Sequence, residues 1–146
     1  EIVEEVVELL SDQAQRKSIK LVISGDKAIK VVADKNQLEI VLRNLISNAI
    51  KFSNLGGMIS ISFDVIKELT EVKIADSGIG MSQDQIDNVL AGKGVTDIMR
   101  GTDNEKGTGF GLIIVNEFVN NNGGALSVVS KVGEGTTFKF TLPMPT

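Results

Sequence analysis

Three groups of residues in this sequence are candidates for binding a ligand or for catalysis. The first is a pair of asparagines. Asn44 and Asn48 lie four positions apart in an otherwise apolar segment, so a helix would place both amides on one face. Asn in a helix costs roughly half a kcal/mol relative to Ala, and an unpaired buried amide costs about 1 to 3 kcal/mol. The pair therefore predicts that the two amides contact a polar ligand. Taken alone, the pair could equally lie on a solvent-exposed edge of the helix.

The second group is residues 76–81, DSGIGM, which directly follow a segment predicted to be a strand. A carboxylate at the end of a strand accepts hydrogen bonds, and Asp76 would suit an exocyclic amine such as the adenine N6. Gly78 and Gly80 would let the backbone come close to a ligand. Taken alone, the segment is more typical of an ordinary turn than of a ligand site.

The third group is residues 107–112, GTGFGL, in which three alternate glycines open a predicted helix. Free backbone N–H groups and the positive end of the helix dipole favour a phosphate at such a point. A P-loop would need GxxxxGK followed by Ser or Thr, and a dinucleotide fold would need GxGxxG after a strand. Neither pattern occurs in the chain, so the segment predicts a nucleotide site of another type.

The elements that must position these groups follow from apolar periodicity. Helical spacing predicts three helices, over residues 1–16, 35–52 and 111–121. Strands are predicted at residues 20–24, 30–33, 59–65, 71–75, 126–130 and 136–142, and the last four form two hairpins. Helices should therefore cover one face of a sheet.

Residues 83–106 differ from the rest because their apolar residues keep no clean period and glycines interrupt them. A long insert without regular structure is usually functional, so we expect a mobile lid over a ligand in this segment.

Composition limits the classes of function. The chain has 146 residues, 42% hydrophobic and 23% charged, which predicts one globular domain over residues 1–146. Its net charge of -4 and dispersed basic residues argue against nucleic acid as a partner. The absence of Cys excludes disulfides and thiolate chemistry, and the absence of His excludes an imidazole base, metal ligand or phosphate acceptor within the chain.

No apolar run approaches the roughly 20 residues that span a bilayer, so we expect a soluble domain without direct membrane contact. The absence of Cys leaves the compartment open and is compatible with a cytoplasmic location. The chain opens with Glu1 directly in a helical pattern, which suggests a piece of a longer protein joined through a helical linker.

Four segments together resemble a known family. Residues 44–52 (NLISNAIKF), 76–81 (DSGIGM), 107–112 (GTGFGL) and 133–138 (GEGTTF) are similar, in order and spacing, to the N, G1, G2 and G3 boxes of histidine kinases. The resemblance covers residues 34–142 and implies the Bergerat fold, a two-layer α/β sandwich. In that fold a mixed, mainly antiparallel sheet packs on three helices, and ATP lies between the helical layer and the lid.

The resemblance also implies a role for each matching residue. Asn48 resembles the Mg²⁺ ligand, and Asn44 and Lys51 resemble the polar contacts on the phosphate side, so these three would be the catalytic residues. Phe52 would lie near the base, Asp76 would bind adenine N6, and Gly78 and Gly80 would shape the adenine pocket. The lid hinge and triphosphate cradle would comprise Lys106, Gly107, Thr108, Gly109, Gly111 and Leu112, and the adjoining hairpin would be shaped by Gly133 and Gly135.

Position 44 separates the histidine kinases from other proteins of this fold, such as gyrase, the mismatch-repair proteins, the heat-shock chaperones and the serine-directed anti-sigma-factor kinases. Those relatives carry a Glu that orients or deprotonates a water or hydroxyl, whereas a neutral imidazole already has a free lone pair. Asn44 therefore favours phosphoryl transfer from ATP to histidine.

The resemblance implies several partners: a histidine-bearing dimerisation domain, a downstream response regulator and a second copy of the full-length protein. One departure supports an alternative of a different class. The family often has a lid segment with two Phe residues, but residues 86–100 read IDNVLAGKGVTDIMR. A non-catalytic nucleotide-sensing module is that alternative.

Overall fold

The computed structural model describes residues 2–25, 31, 33–53, 56–80, 82–90 and 111–143. In chain order its elements are α1 (Ile2–Arg16), β1 (Lys20–Gly25), α2 (Lys35–Phe52), β2 (Met58–Ile66), β3 (Leu69–Asp76), α3 (Gln83–Leu90), α4 (Gly111–Asn121), β4 (Leu126–Lys131) and β5 (Gly135–Pro143). The three predicted helices and both predicted hairpins are confirmed.

The five strands form one sheet in the order β1-β2-β3-β5-β4. β1 and β2 are parallel, and the other neighbouring strands are antiparallel. Ile61 pairs with Ile74, which pairs in turn with Phe138, and all three side chains are buried. Because alternate residues of a strand share a face, these rows give the sheet one apolar side against the helices. The predicted α/β sandwich with a mixed, mainly antiparallel sheet is confirmed.

Helix α2 lies at the centre of the helical layer, between α1 and α4. It begins after Asp34, whose side chain accepts a hydrogen bond from the backbone N–H of Gln37 at 2.9 Å, a helix N-cap. Its buried residues are Val41, Leu42, Leu45, Ile46, Ala49 and Ile50. Fully burying a side chain the size of Leu or Ile stabilises a fold by about 1.5 to 3 kcal/mol, so this stripe fixes α2 on the sheet. Among the described helices, none is both long and apolar enough to cross a membrane.

Two expectations about local structure were wrong. The segment 83–90 is not irregular but forms α3, and the N–H of Ile86 donates to the carbonyl of Ser82 at 3.0 Å in its first turn. Ile86 is buried in the core, and α3 packs on α4 and β4. Ile86, Val89 and Leu90 keep the helical spacing i, i+3, i+4, but the residues that follow do not continue it, so segment 83–106 as a whole shows no clean period. In the predicted strand 30–33, the described residues Val31 and Ala33 belong to no strand. Residues 91–106 lie outside the described ranges, so the mobile lid stays a prediction.

Candidate functional site

Asp76 is the last residue of β3 and carries the carboxylate at the centre of the candidate site. One of its oxygens, Oδ1, accepts a hydrogen bond from the backbone N–H of Gly78 at 2.8 Å. The N–H of Thr136, its partner across the β3–β5 ladder, also donates to the carboxylate. Burial raises the pKa of Asp76, and the two backbone donors oppose that rise. A partly desolvated carboxylate can still accept a further hydrogen bond from a ligand.

The loop after Asp76 is fixed to the C-terminal end of α2. The N–H of Ile79 donates to the carbonyl of Phe52 at 3.1 Å. Gly78 lies so close that a Cβ atom there would sit 1.9 Å from the same Phe52 oxygen. The glycine is thus required by close approach to the protein's own backbone. Its close approach to a ligand stays a prediction.

The turn between β4 and β5 holds the other side of this loop. The N–H of Gly133 donates to the carbonyl of Ile79 at 2.7 Å. A Cβ at Gly80, whose φ is 75°, would lie 2.1 Å from the carbonyl oxygen of Lys131, and one at Gly135 would lie 2.2 Å from that of Asp76. The glycine motifs around residues 78 and 133 therefore meet at a single junction of backbones.

Thr136, which lies opposite Asp76, and its neighbour Ser130 on β4 were missed from the sequence. Thr136 is buried, and its Oγ1 lies 2.7 Å from the Oγ of Ser130. The Ser130 hydroxyl also donates to the carbonyl of Gly135 at 2.8 Å. Since a hydroxyl has one proton, Thr136 is then the donor to Ser130. The available signal was the GEGTTF segment, but only the strand register places Thr136 opposite Asp76.

The polar residues of α2 lie on successive turns of the helix, as expected. The amide nitrogen of Asn44 donates to the carbonyl of Ile40 at 2.8 Å, one turn earlier in the same helix. Asn48 is half-buried one turn later, and Lys51 follows at a spacing that shares its face. The ammonium of Lys51 lies 5.1 Å from the ring centroid of Phe52, within the range of a cation–π contact. Lys51 and Phe52 both belong to the C-terminal end of α2, which contacts the loop at Gly78.

The third predicted group is only partly described. Gly111 and Leu112 are the first two residues of α4, so the helix begins where the glycine spacing predicted. Lys106, Gly107, Thr108 and Gly109 lie outside the described residues, and their proposed phosphate contacts remain predictions. In the part of the chain that is described, no group of three His, Cys, Asp or Glu side chains could hold a metal ion.

The sequence of residues 33–146 matches the family described as "Histidine kinase-, DNA gyrase B-, and HSP90-like ATPase". The chain is 32% identical over 136 residues to the aerobic respiration control sensor protein ArcB of Escherichia coli (strain K12), covering 91% of this chain and 17% of that protein. It is 38% identical over 120 residues to the sensor histidine kinase WalK of Bacillus subtilis (strain 168), covering 81% and 20%. The chain thus spans a small part of these relatives.

Solved structures show the same architecture. The nucleotide-free catalytic domain of histidine kinase ThkA superposes with a TM-score of 0.82 at 22% identity, covering 98% of this chain and 92% of that one. Full-length ShkA in complex with AMPPNP gives a TM-score of 0.79 at 27% identity, covering 99% and 30%. This chain belongs to the histidine kinase-, DNA gyrase B- and HSP90-like ATPase family, and within it corresponds to the catalytic domain of sensor histidine kinases.

Proposed function

We propose that this chain binds ATP with Mg²⁺ and donates the γ-phosphate to a histidine on a separate dimerisation domain. The observation that carries the proposal is the carboxylate of Asp76, which is partly desolvated and held by backbone donors from Gly78 and Thr136. An acceptor fixed in this way favours a ligand N–H donor, and adenine N6 is such a donor.

The residues of α2 fit the phosphate side of such a ligand. Mg²⁺ usually takes one or two protein oxygens and completes its shell with phosphate oxygens and water. The half-buried amide of Asn48 offers one such oxygen, and the cationic Lys51 on the same face would offset phosphate charge. When bound, Mg-ATP supplies the transferable phosphoryl group and its charge neutralisation.

The identity of residue 44 supports histidine as the acceptor. An amide cannot take a proton at neutral pH, and the Asn44 nitrogen is already engaged with the carbonyl of Ile40. A serine or water nucleophile would need a base here, whereas a neutral imidazole does not. Because the chain has no His, the acceptor must come from another segment or chain. The same proposal includes a cytoplasmic location, where ATP is supplied. It also includes a homodimeric full-length kinase and a downstream response regulator.

Two measurements test the proposal. Calorimetric titration with Mg-AMPPNP should give a dissociation constant between micromolar and millimolar, and Asp76→Ala should weaken it at least tenfold. Mixing the chain with a separately expressed dimerisation domain and γ-labelled ATP should then label the acceptor histidine. Binding without transfer would favour the nucleotide-sensing alternative, for which the lid sequence without the two Phe residues is the motivating feature. No binding of any adenine nucleotide would refute both readings.

A further inference from the structure

The C-terminal end of α2 is capped by side-chain and backbone groups from three places in the chain. An α-helix leaves its last four carbonyls without partners inside the helix, and here these belong to residues 49–52. The carbonyl of Ala49 accepts from both the N–H and the hydroxyl of Ser53, at 3.0 and 2.6 Å. The carbonyl of Phe52 accepts from the N–H of Ile79. The carbonyls of Ile50 and Lys51 lie between these two in the sequence, and they accept hydrogen bonds from a side chain outside the helix.

Lys17 is that donor. Its ammonium donates to the carbonyl of Ile50 at 3.0 Å and to that of Lys51 at 2.9 Å. Lys is seldom fully buried, yet Lys17 is only 4% exposed, at the point where the chain leaves α1. A charged donor makes a stronger hydrogen bond than a neutral one, so loss of the Lys17 ammonium would remove two strong hydrogen bonds from the end of α2, one of them buried.

The backbone around Lys17 holds the same region. The N–H of Gly56 donates to the carbonyl of Lys17 at 2.9 Å, and the N–H of Lys20 donates to the carbonyl of Gly57 at 3.0 Å. The start of β1 and the connection from α2 to β2 are therefore tied together next to the residue that caps the helix end.

We infer that Lys17 is a positioning residue for the nucleotide site, because its ammonium caps the helix end that bears Lys51 and Phe52 and fixes the loop at Ile79. The inference makes two claims. The effect of Lys17 on nucleotide affinity rests on the proposed function. The effect of Lys17 on the hydrogen bond of Ile79 needs no ligand and can be tested without one.

The test replaces Lys17 with Met, whose unbranched side chain fills a similar space but ends before the position of the ammonium and has no donor. NMR-detected hydrogen exchange would compare the amide of Ile79 with that of Val72, which lies in the middle of β3. We expect the Lys17→Met variant to exchange at Ile79 about tenfold faster relative to Val72, and to bind Mg-AMPPNP about tenfold more weakly. Asn122→Ala is the control, since it loses hydrogen bonds at the other end of α2. It should leave both the exchange ratio and the affinity within about threefold of the parent protein.

The outcomes separate the two claims. An unchanged exchange ratio in Lys17→Met would overturn the positioning role, and so would faster exchange at Ile79 with unchanged affinity. If the parent protein bound no nucleotide, the proposed function would fail, while the exchange ratio would still decide whether the Ile79 contact depends on Lys17.

If Lys17→Met did not fold, the parent protein offers a second measurement. Mg-AMPPNP should slow exchange at Gly56, which donates to Lys17, relative to Val72, and no slowing there would contradict the inference.

Discussion

Gly78 and Phe52 are in direct backbone contact, so close that a Cβ on Gly78 would lie 1.9 Å from the Phe52 carbonyl oxygen. The contact joins the loop that follows Asp76 to the end of the helix that carries Asn44 and Asn48. The carbonyl of Phe52 also accepts a hydrogen bond from the N–H of Ile79. The loop after Asp76 and the C-terminal end of α2 therefore form one packed unit.

Gly78→Ala should separate this unit. The added methyl group collides with backbone, which cannot yield as a flexible side chain can, so the loop must shift. We expect at least a tenfold loss of Mg-AMPPNP affinity and a loss of unfolding free energy of about 2 kcal/mol or more. Calorimetry and urea unfolding measure the two effects.

Gly123→Ala is the matched control for that substitution. Gly123 also needs a special backbone, with φ at 80°, but the atoms nearest to a Cβ there are side-chain atoms of Pro143 at 3.8 and 4.0 Å. It should cost about 1 to 2 kcal/mol for the left-handed conformation and leave nucleotide affinity unchanged. Equal losses of affinity in both variants would contradict the steric explanation.

The raised pKa of Asp76 predicts a pH dependence of stability. Between the ordinary aspartate pKa and the raised value, the folded chain binds more protons than the unfolded chain. The free energy of unfolding should therefore decrease as pH rises through that window, and Asp76→Asn should remove this contribution. Urea unfolding of both proteins across the acidic range measures the difference. A pH profile of Asp76→Asn that matched that of the parent protein would contradict this prediction.

Thr70→Val should stabilise the fold. Thr70 is 2% exposed, and its Oγ1 has no hydrogen-bond partner among the residues described. Replacing a buried, unpaired hydroxyl with a methyl group of similar size removes a desolvation cost, so we expect a gain of about 1 kcal/mol. Thr141→Val is the contrasting variant, because the Thr141 hydroxyl accepts from the N–H of Ala125 at 3.2 Å. It should lose stability, and a gain of similar size in both would sink the explanation.

Asn122→Ala should destabilise the packing of α2 on α4. The Asn122 amide nitrogen donates to Gln37 Oε1 and to the Phe118 carbonyl at 2.8 and 2.7 Å. Its Oδ1 accepts from the N–H of Asp34, the residue that caps α2. Loss of the three bonds should cost about 2 to 3 kcal/mol in thermal or urea unfolding. The exposed Asn120→Ala should change stability by no more than about 0.5 kcal/mol.

Much of the fold was predictable because its signals are local. The bounds of α2 and α4 follow from an apolar stripe of helical period, and the glycines after α4 mark its end. The two hairpins follow from alternation and turn residues. Helix α3 was missed because the helical spacing of Ile86, Val89 and Leu90 covers little more than one turn and is not continued by the residues after it, which glycines interrupt.

For the candidate site, the sequence by itself determined which residue types are present and their spacing: the Asn pair, Asp76 and the glycine motifs. The tertiary structure decided which backbones these glycines touch, because a contact between residues 78 and 52 depends on how a strand end meets a helix end. It also placed Thr136 opposite Asp76 in the sheet and the Lys17 ammonium at the C-terminal end of α2. These are long-range contacts, set by strand register and helix packing, and no local pattern of the sequence encodes them.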